Sequence, residues 1–208
     1  MTRVACIGEC MIELKQAKGG LYSRGYGGDT LNTSVYLARL GVDVDYVTAL
    51  GDDTLSDEMI AGWAAEGVGT KRVARLPGKL PGIYLIRTDD NGERRFFHWR
   101  ESAAARALMD LPETEHILNS LASYDVVYLS AITLSIYSEN GRKRLMAALN
   151  RARLLGTALR SIPIFAPAAG PTSTWRAAPL AMPLRPRILC WPRRKIYCRS
   201  IPAKATRP

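Results

Sequence analysis

The chain has 208 residues, 47% of them hydrophobic, and a formal net charge of +10. That length is enough for one α/β domain with a sizeable core. No apolar run approaches a membrane span, and the opening "MTRVACIGEC" meets Glu9 too soon for a signal peptide, so a soluble cytoplasmic protein is expected.

A charge of this size ordinarily points to nucleic acid or an anionic surface. Its distribution argues otherwise. Ten of the 29 basic residues lie in residues 157–208, which hold no Asp or Glu. Residues 1–156 carry nineteen charges of each sign and are neutral. Nine of the twelve prolines also fall in the last segment. The four cysteines, Cys6, Cys10, Cys190 and Cys198, have no metal-ligand spacing and read as reduced thiols. No metal site is expected.

In chain order, "RVACIGECMIEL" reads as a buried strand ending in a glycine turn. "GGDTLNTSVYLARLG" reads as a helix capped by Thr30 or Asp29, with Leu31, Val35, Leu37, Ala38 and Leu40 on one broad face and Gly41 as its stop. "VDYVTALG" is a second buried strand. "DTLSDEMIAGWAAEGV" is a second helix, with Asp and Ser near its start and Gly67 beyond its end. Alternating strand and helix predicts a parallel sheet with right-handed crossovers.

The pattern then changes. "GIYLIRTDDNGERRFFHWR" is two strand-like runs joined by "DDNG", a hairpin signal. A hairpin inserted among βα units often forms a lid or second layer. "ETEHILNSLASY" is a helix and "DVVYLSAI" a strand whose end should meet a site. "NGRKRLMAALNRARLLG" is an amphipathic helix whose basic run at residues 142–144 reads as a solvated face. A strand should follow it. The proline spacing of "TALRSIPIFAPAAGPTSTWRAAPLAMPLRPR" forbids a central strand or a long helix. The α/β program is therefore expected to stop near Gly156 or Thr157, without a further strand.

Two stretches could carry chemistry. In "YGGDTLN", Gly27 and Gly28 allow close approach of backbone to a ligand. The following helix aims its free N–H groups at that point. Asp29 could accept from hydroxyls, and Asn32 could both donate and accept. On this stretch alone, a plain turn and N-cap is the simpler reading. In "FFHWR", Arg100 offers a planar fork suited to a carboxylate or phosphate. Tyr84 lies on the partner strand, and His98 shares the face of Arg100 if the strand stays regular. An aromatic cross-strand cluster with a surface arginine fits those residues equally.

Taken together, "IGECMIEL", "GGDTLNTSVYLARLG", "YVTALGDD", "LPGIYLIRTDDNGERRFFHWRESAAA" and "YLSAITLSIYS" resemble the N-terminal half of the 2-dehydro-3-deoxygluconokinases. These form a branch of the PfkB, or ribokinase-like, sugar kinases. The resemblance covers residues 4–156. It implies a doubly wound α/β sheet with a small β lid. It also implies transfer of the ATP γ-phosphoryl, with Mg2+, to a hydroxyl of a sugar acid. By the same resemblance Gly28 and Asn32 contact the sugar acid, with Asp29 beside them. Tyr84 lies over it and Arg100 holds its carboxylate. His98 stands where the family usually has Tyr. Homo-oligomers are common in the family, and no membrane partner or specific nucleic acid is implied. Fructokinase- and ribokinase-type activities are the nearest alternatives, and a non-catalytic sugar-acid binder is another.

The family's late motif, an Asp-Thr followed by Gly-Ala-Gly-Asp or a close variant, supplies the catalytic base and an oxyanion-type nest. Nothing like it occurs in the sequence. No catalytic residue is therefore assigned, ATP and Mg2+ are not expected to bind well, and the chain is expected to be inactive as a kinase.

Residues 157–208 read as a basic, proline-rich and irregular tail, and the pattern suggests an out-of-frame translation. Residues 169–175, "AGPTSTW", can be encoded so that a reading begun one base earlier gives "GWPDVDV". Residues 188–204 can likewise give "DIVLASTEDLLPLYPGE". Both match what the family places there and restore acids. The frame would be lost between residues 156 and 161. The codons of the gene itself decide this: sequencing through residues 154–208 is expected to yield those two peptides one base out of register. Codons incompatible with them would leave the tail as an authentic basic segment.

Overall fold

A computed structural model of the chain describes residues 1–162. Its first strand, β1 (Arg3–Ile7), buries alternate residues on opposite sides. Val4 and Cys6 join one apolar cluster, and Ala5 and Ile7 join another. A strand buried on both faces belongs inside a parallel sheet covered by helices. β1 pairs in parallel with β4 (Asp43–Gly51) and with β8 (Val126–Ser130). β5 (Val73–Leu76) and β9 (Ala158–Ile162) extend the sheet to the order β5-β4-β1-β8-β9.

One face is packed by α1 (Asp29–Arg39) and α2 (Thr54–Ala65), through Leu31, Val35, Met59 and Trp63. The other face is packed by α3 (Ala104–Ala107), α4 (Thr114–Ser120) and α6 (Glu139–Leu154). Ala105, Ile117, Leu145 and Leu149 are among the residues buried there. The short α5 (Ala131–Ile136) follows β8 directly. This is the expected doubly wound arrangement. Chain order reverses between β1 and β8, which opens a crevice at their C-terminal ends.

A second sheet lies beyond those ends. It has the order β3-β2-β6-β7, built from β2 (Met11–Gln16), β3 (Tyr22–Gly27), β6 (Ile83–Thr88) and β7 (Arg94–Trp99). This is the small β lid. The predicted hairpin is its β6 and β7, joined through a turn in which Gly92 has φ +80°. Among the described residues no helix is long and apolar enough to cross a membrane.

Four expectations are corrected. "RVACIGECMIEL" is two strands in two sheets, because the chain breaks at residues 8–10 to pass from core to lid. Helix α1 is capped by neither Thr30 nor Asp29. Its N-cap is Gly28, which makes no side-chain cap bond, while Asp29 Oδ1 accepts from the Thr30 N–H at 2.8 Å. The basic run on α6 is not simply solvated: Arg142 donates to the carbonyl of Tyr137 at 2.7 Å and Arg144 to that of Met109. Finally, a strand does follow α6. β9 pairs with β8 from Val126 opposite Ala158 to Ser130 opposite Ile162. The segment before Pro163 contains no proline, so each N–H is free to join the ladder. The remainder of the tail, with its frameshift and nucleic-acid readings, lies outside the described residues.

Helix α2 shows local capping in full. Asp53 Oδ1 accepts from the N–H groups of Leu55 and Ser56, both at 3.0 Å, and Oδ2 accepts from Ser56 Oγ at 2.6 Å. Asp53→Ala is expected to lower stability by about 1 kcal/mol, measurable as a shifted urea midpoint with an unchanged slope.

Candidate functional site

The crevice between β1 and β8 is closed by three small contacts. Thr133 Oγ1 donates to the carbonyl of Ile7 at 2.9 Å and so ties the start of α5 to the end of β1. Gly8 follows, and a Cβ there would sit 2.1 Å from Thr30 Oγ1 of α1. A Cβ on Gly28 would sit 2.3 Å from the backbone oxygen of Glu9. Gly28 has φ 179°, an extended backbone open to any residue. Glycine is required there by space alone.

This packing sets Glu9 under the lid. Its side chain is 2% exposed and accepts a charge-assisted hydrogen bond from Arg100 Nη2 through Oε2. Arg100 lies just past the end of β7 with its side chain 19% exposed. Every residue of β7 itself is exposed, so Arg100 turns inward where the strand stops. Burial pushes the Glu9 carboxyl above its ordinary range, and the Arg100 guanidinium opposes that shift. The pairing is incomplete. Glu9 Oε1 and Arg100 Nε are buried without hydrogen-bond partners, and so is Asp29 Oδ2 at the start of α1.

A second acid-containing pair lies alongside. Tyr84 of β6 donates its hydroxyl to Glu13 Oε2 of β2. That hydroxyl fills the space beside Gly27, where a Cβ would lie 2.0 Å away. Tyr84 is directly opposite His98 in the ladder, with ring centroids 5.9 Å apart. Phe96 extends the row, 6.4 Å from His98. Partial burial, and then the Arg100 charge, hold the His98 imidazole below its usual range. It is therefore neutral near pH 7 and presents one donor and one acceptor.

The six residues singled out from sequence thus fall on two elements. Tyr84, His98 and Arg100 belong to the lid hairpin and its exit. Gly28, Asp29 and Asn32 form the start of α1, with the Asn32 N–H bonded to the Gly28 carbonyl at 2.8 Å. The two groups meet at Glu9, whose backbone packs on Gly28 and whose carboxylate holds Arg100. Glu9 and Glu13 were not singled out from sequence. Their signal was present: two acids inside the apolar run "CIGECMIEL" must be exposed or partnered, and both are buried. Among the described residues there is no group of three or more His, Cys, Asp or Glu side chains that could hold a metal ion.

The model of the pfkB family carbohydrate kinases matches residues 1–186. The chain belongs to that family. It is 50% identical over 157 residues to the 2-dehydro-3-deoxygluconokinase of Dickeya dadantii (strain 3937), covering 74% of this chain and 50% of that protein. It is 46% identical over 158 residues to the 2-dehydro-3-deoxygluconokinase of Escherichia coli (strain K12), covering 74% and 51%. The chain therefore spans about half the length of the curated relatives it matches. Among solved structures it is similar to the 2-dehydro-3-deoxygluconokinase of Thermotoga maritima, with a TM-score of 0.68 at 24% identity, covering 80% of this chain and 52% of that one. That likeness shows the shared pfkB-family fold.

The two glycines of the turn should respond differently to a methyl group. Gly28→Ala drives a Cβ into fixed backbone and is expected to destabilise the chain by about 1–3 kcal/mol. Gly27→Ala meets only the tip of Tyr84, which can swing away, and is expected to cost less while breaking the Tyr84 bond to Glu13. Urea denaturation of both variants checks the order.

Proposed function

We propose that this chain carries the sugar-acid-binding side of a 2-dehydro-3-deoxygluconate kinase. The intact reaction is ATP plus 2-dehydro-3-deoxy-D-gluconate giving 2-dehydro-3-deoxy-6-phospho-D-gluconate. One observation carries the reading: Arg100 is drawn off an exposed strand into a buried crevice where Arg100 Nε, Glu9 Oε1 and Asp29 Oδ2 lack hydrogen-bond partners. A polyhydroxylated acid supplies what those atoms need. Its carboxylate takes the Arg100 fork. Tyr84 and His98 lie along one side of it, and Gly28, Asp29 and Asn32 face its hydroxyls. The names of curated relatives 50% and 46% identical to it support the same substrate.

Phosphoryl transfer also needs a base for the attacking hydroxyl and donors for the phosphate charge. The Gly-Ala-Gly-Asp type of motif that supplies them in the family does not occur in the 208 residues. The chain is accordingly proposed to bind the sugar acid without turning it over. ATP-dependent phosphorylation of the acid by this chain would refute that part.

Calorimetric titration with 2-dehydro-3-deoxygluconate tests the binding. Arg100→Ala is expected to weaken it roughly 10- to 100-fold, the worth of a charge-assisted hydrogen bond. Fructose and ribose, which lack a carboxylate, are expected to bind weakly and to be indifferent to the substitution. Equal binding of the acid by both forms would remove Arg100 from the site.

A further inference from the structure

Arg100, the group assigned above to the ligand's carboxylate, already holds a carboxylate in the structure. We infer that Glu9 is an internal stand-in for the ligand. An incoming sugar acid displaces Glu9 from Arg100, and Glu9 takes up one proton as it is released. This deepens the reading of the site given above and rests on it.

Three features carry the exchange. The existing contact is a single one, from Nη2 to Oε2, and leaves Arg100 Nε and Glu9 Oε1 buried without partners. A ligand carboxylate free to orient can use two N–H groups of the fork and outbid a side chain that uses one. Second, Glu9 cannot follow its charge into water. Its backbone oxygen is packed on Gly28, and its Oε1 lies 3.1 Å from where a Cβ on Gly82 would be. Third, little else compensates it. Besides Arg100, the groups that act on Glu9 are Arg106 of α3, which favours its charge, and Glu101, which opposes it. Cys10 beside it in sequence and the buried Tyr137 hydroxyl also face it, and neither brings a positive charge.

The balance is simple. One O–H bond forms on Glu9, the proton comes from solvent, and no other covalent bond changes. The ligand brings one negative charge and the proton one positive charge, so the crevice keeps its net charge. A neutral sugar has nothing with which to displace Glu9. Glu9 thereby becomes a specificity-determining residue that reserves Arg100 for acids.

The pH dependence follows with its sign. Burial already raises the Glu9 carboxyl while Arg100 is beside it, and losing Arg100 removes the largest opposing influence. The ligand-bound value is thus higher than the free value. Between the two, binding takes up one proton and Kd rises about tenfold per pH unit. Outside that window Kd does not vary with pH through Glu9.

The test is calorimetry of the full 208-residue chain with 2-dehydro-3-deoxygluconate, in buffers of different ionisation enthalpy at several pH values. The expected result is uptake of up to one proton per ligand in the unaltered chain. Glu9→Gln, which keeps the shape and removes the charge, is expected to bind more tightly, with no uptake and a flat pH profile. Binding by Glu9→Gln but not by the unaltered chain would also support the exchange. Binding by the unaltered chain with no proton uptake at any pH overturns it and leaves the proposed function standing. Binding by neither form overturns both.

Discussion

A carboxylate shut away from water needs a cation beside it, and at Glu9 the fold supplies Arg100. Much of the crevice depends on this one pair. It draws the exit of β7 down onto the end of β1, although β7 itself is exposed along its length. Removing one partner of such a pair leaves an uncompensated buried charge, which typically costs about 3–5 kcal/mol. The lid is held on the core by this pair, by the Arg24–Glu58 ion pair at 2.6 Å, and by the apolar packing of Ile12, Tyr26 and Ile83. In the function proposed for the chain the same pair defines the site, since an arginine fork sheltered from solvent suits a carboxylate.

That arrangement presupposes a tight junction beneath it. The end of β1, the start of α1 and the start of α5 converge around residues 7–9, through the Thr133 bond to Ile7 and the close approach of Gly8 to Thr30 and of Gly28 to Glu9. Glycine at positions 8 and 28 makes the convergence possible by contributing no volume. The parallel sheet makes it useful, because its reversal of strand order places the gap at the one end where loops can reach it. Two apolar clusters, one on each face of the sheet, hold the junction rigid.

Much of this was legible in the sequence. The strands and helices that bury one face or two announce themselves by period, and "DDNG" announced the hairpin. The glycine turn and Arg100 stand out through the resemblance to the sugar-acid kinases; on residue type alone a plain turn and a surface arginine serve as well. The local signals failed where tertiary contacts decide. A strand-like run continuous in composition is split between two sheets at residues 8–10. Position 28 outranks Asp29 and Thr30 as the cap where the chain packs against Glu9, nineteen residues away. Glu9 and Glu13 looked like interruptions of apolar strands, and only the folded chain shows that each has a partner across the lid, 91 and 71 residues on. The strand at 158–162 is hidden for another reason: it is a short segment free of proline that runs directly into a proline-rich one.

The lid's attachment has a mechanical consequence. Residues 8–10 join β1 to β2, and Gly28 alone joins β3 to α1. The other half of the lid hangs on longer segments, residues 77–82 and 100–103. Tethers of such unequal length define a pivot. The β2 and β3 edge is the axle, with no slack to translate, and the β6 and β7 edge is the swinging arm. Arg100 sits at the root of that arm, so a small rotation of the hairpin changes the guanidinium's position by much less than it changes that of the turn at Gly92. The part of the lid that travels farthest is the part that carries none of the chemistry.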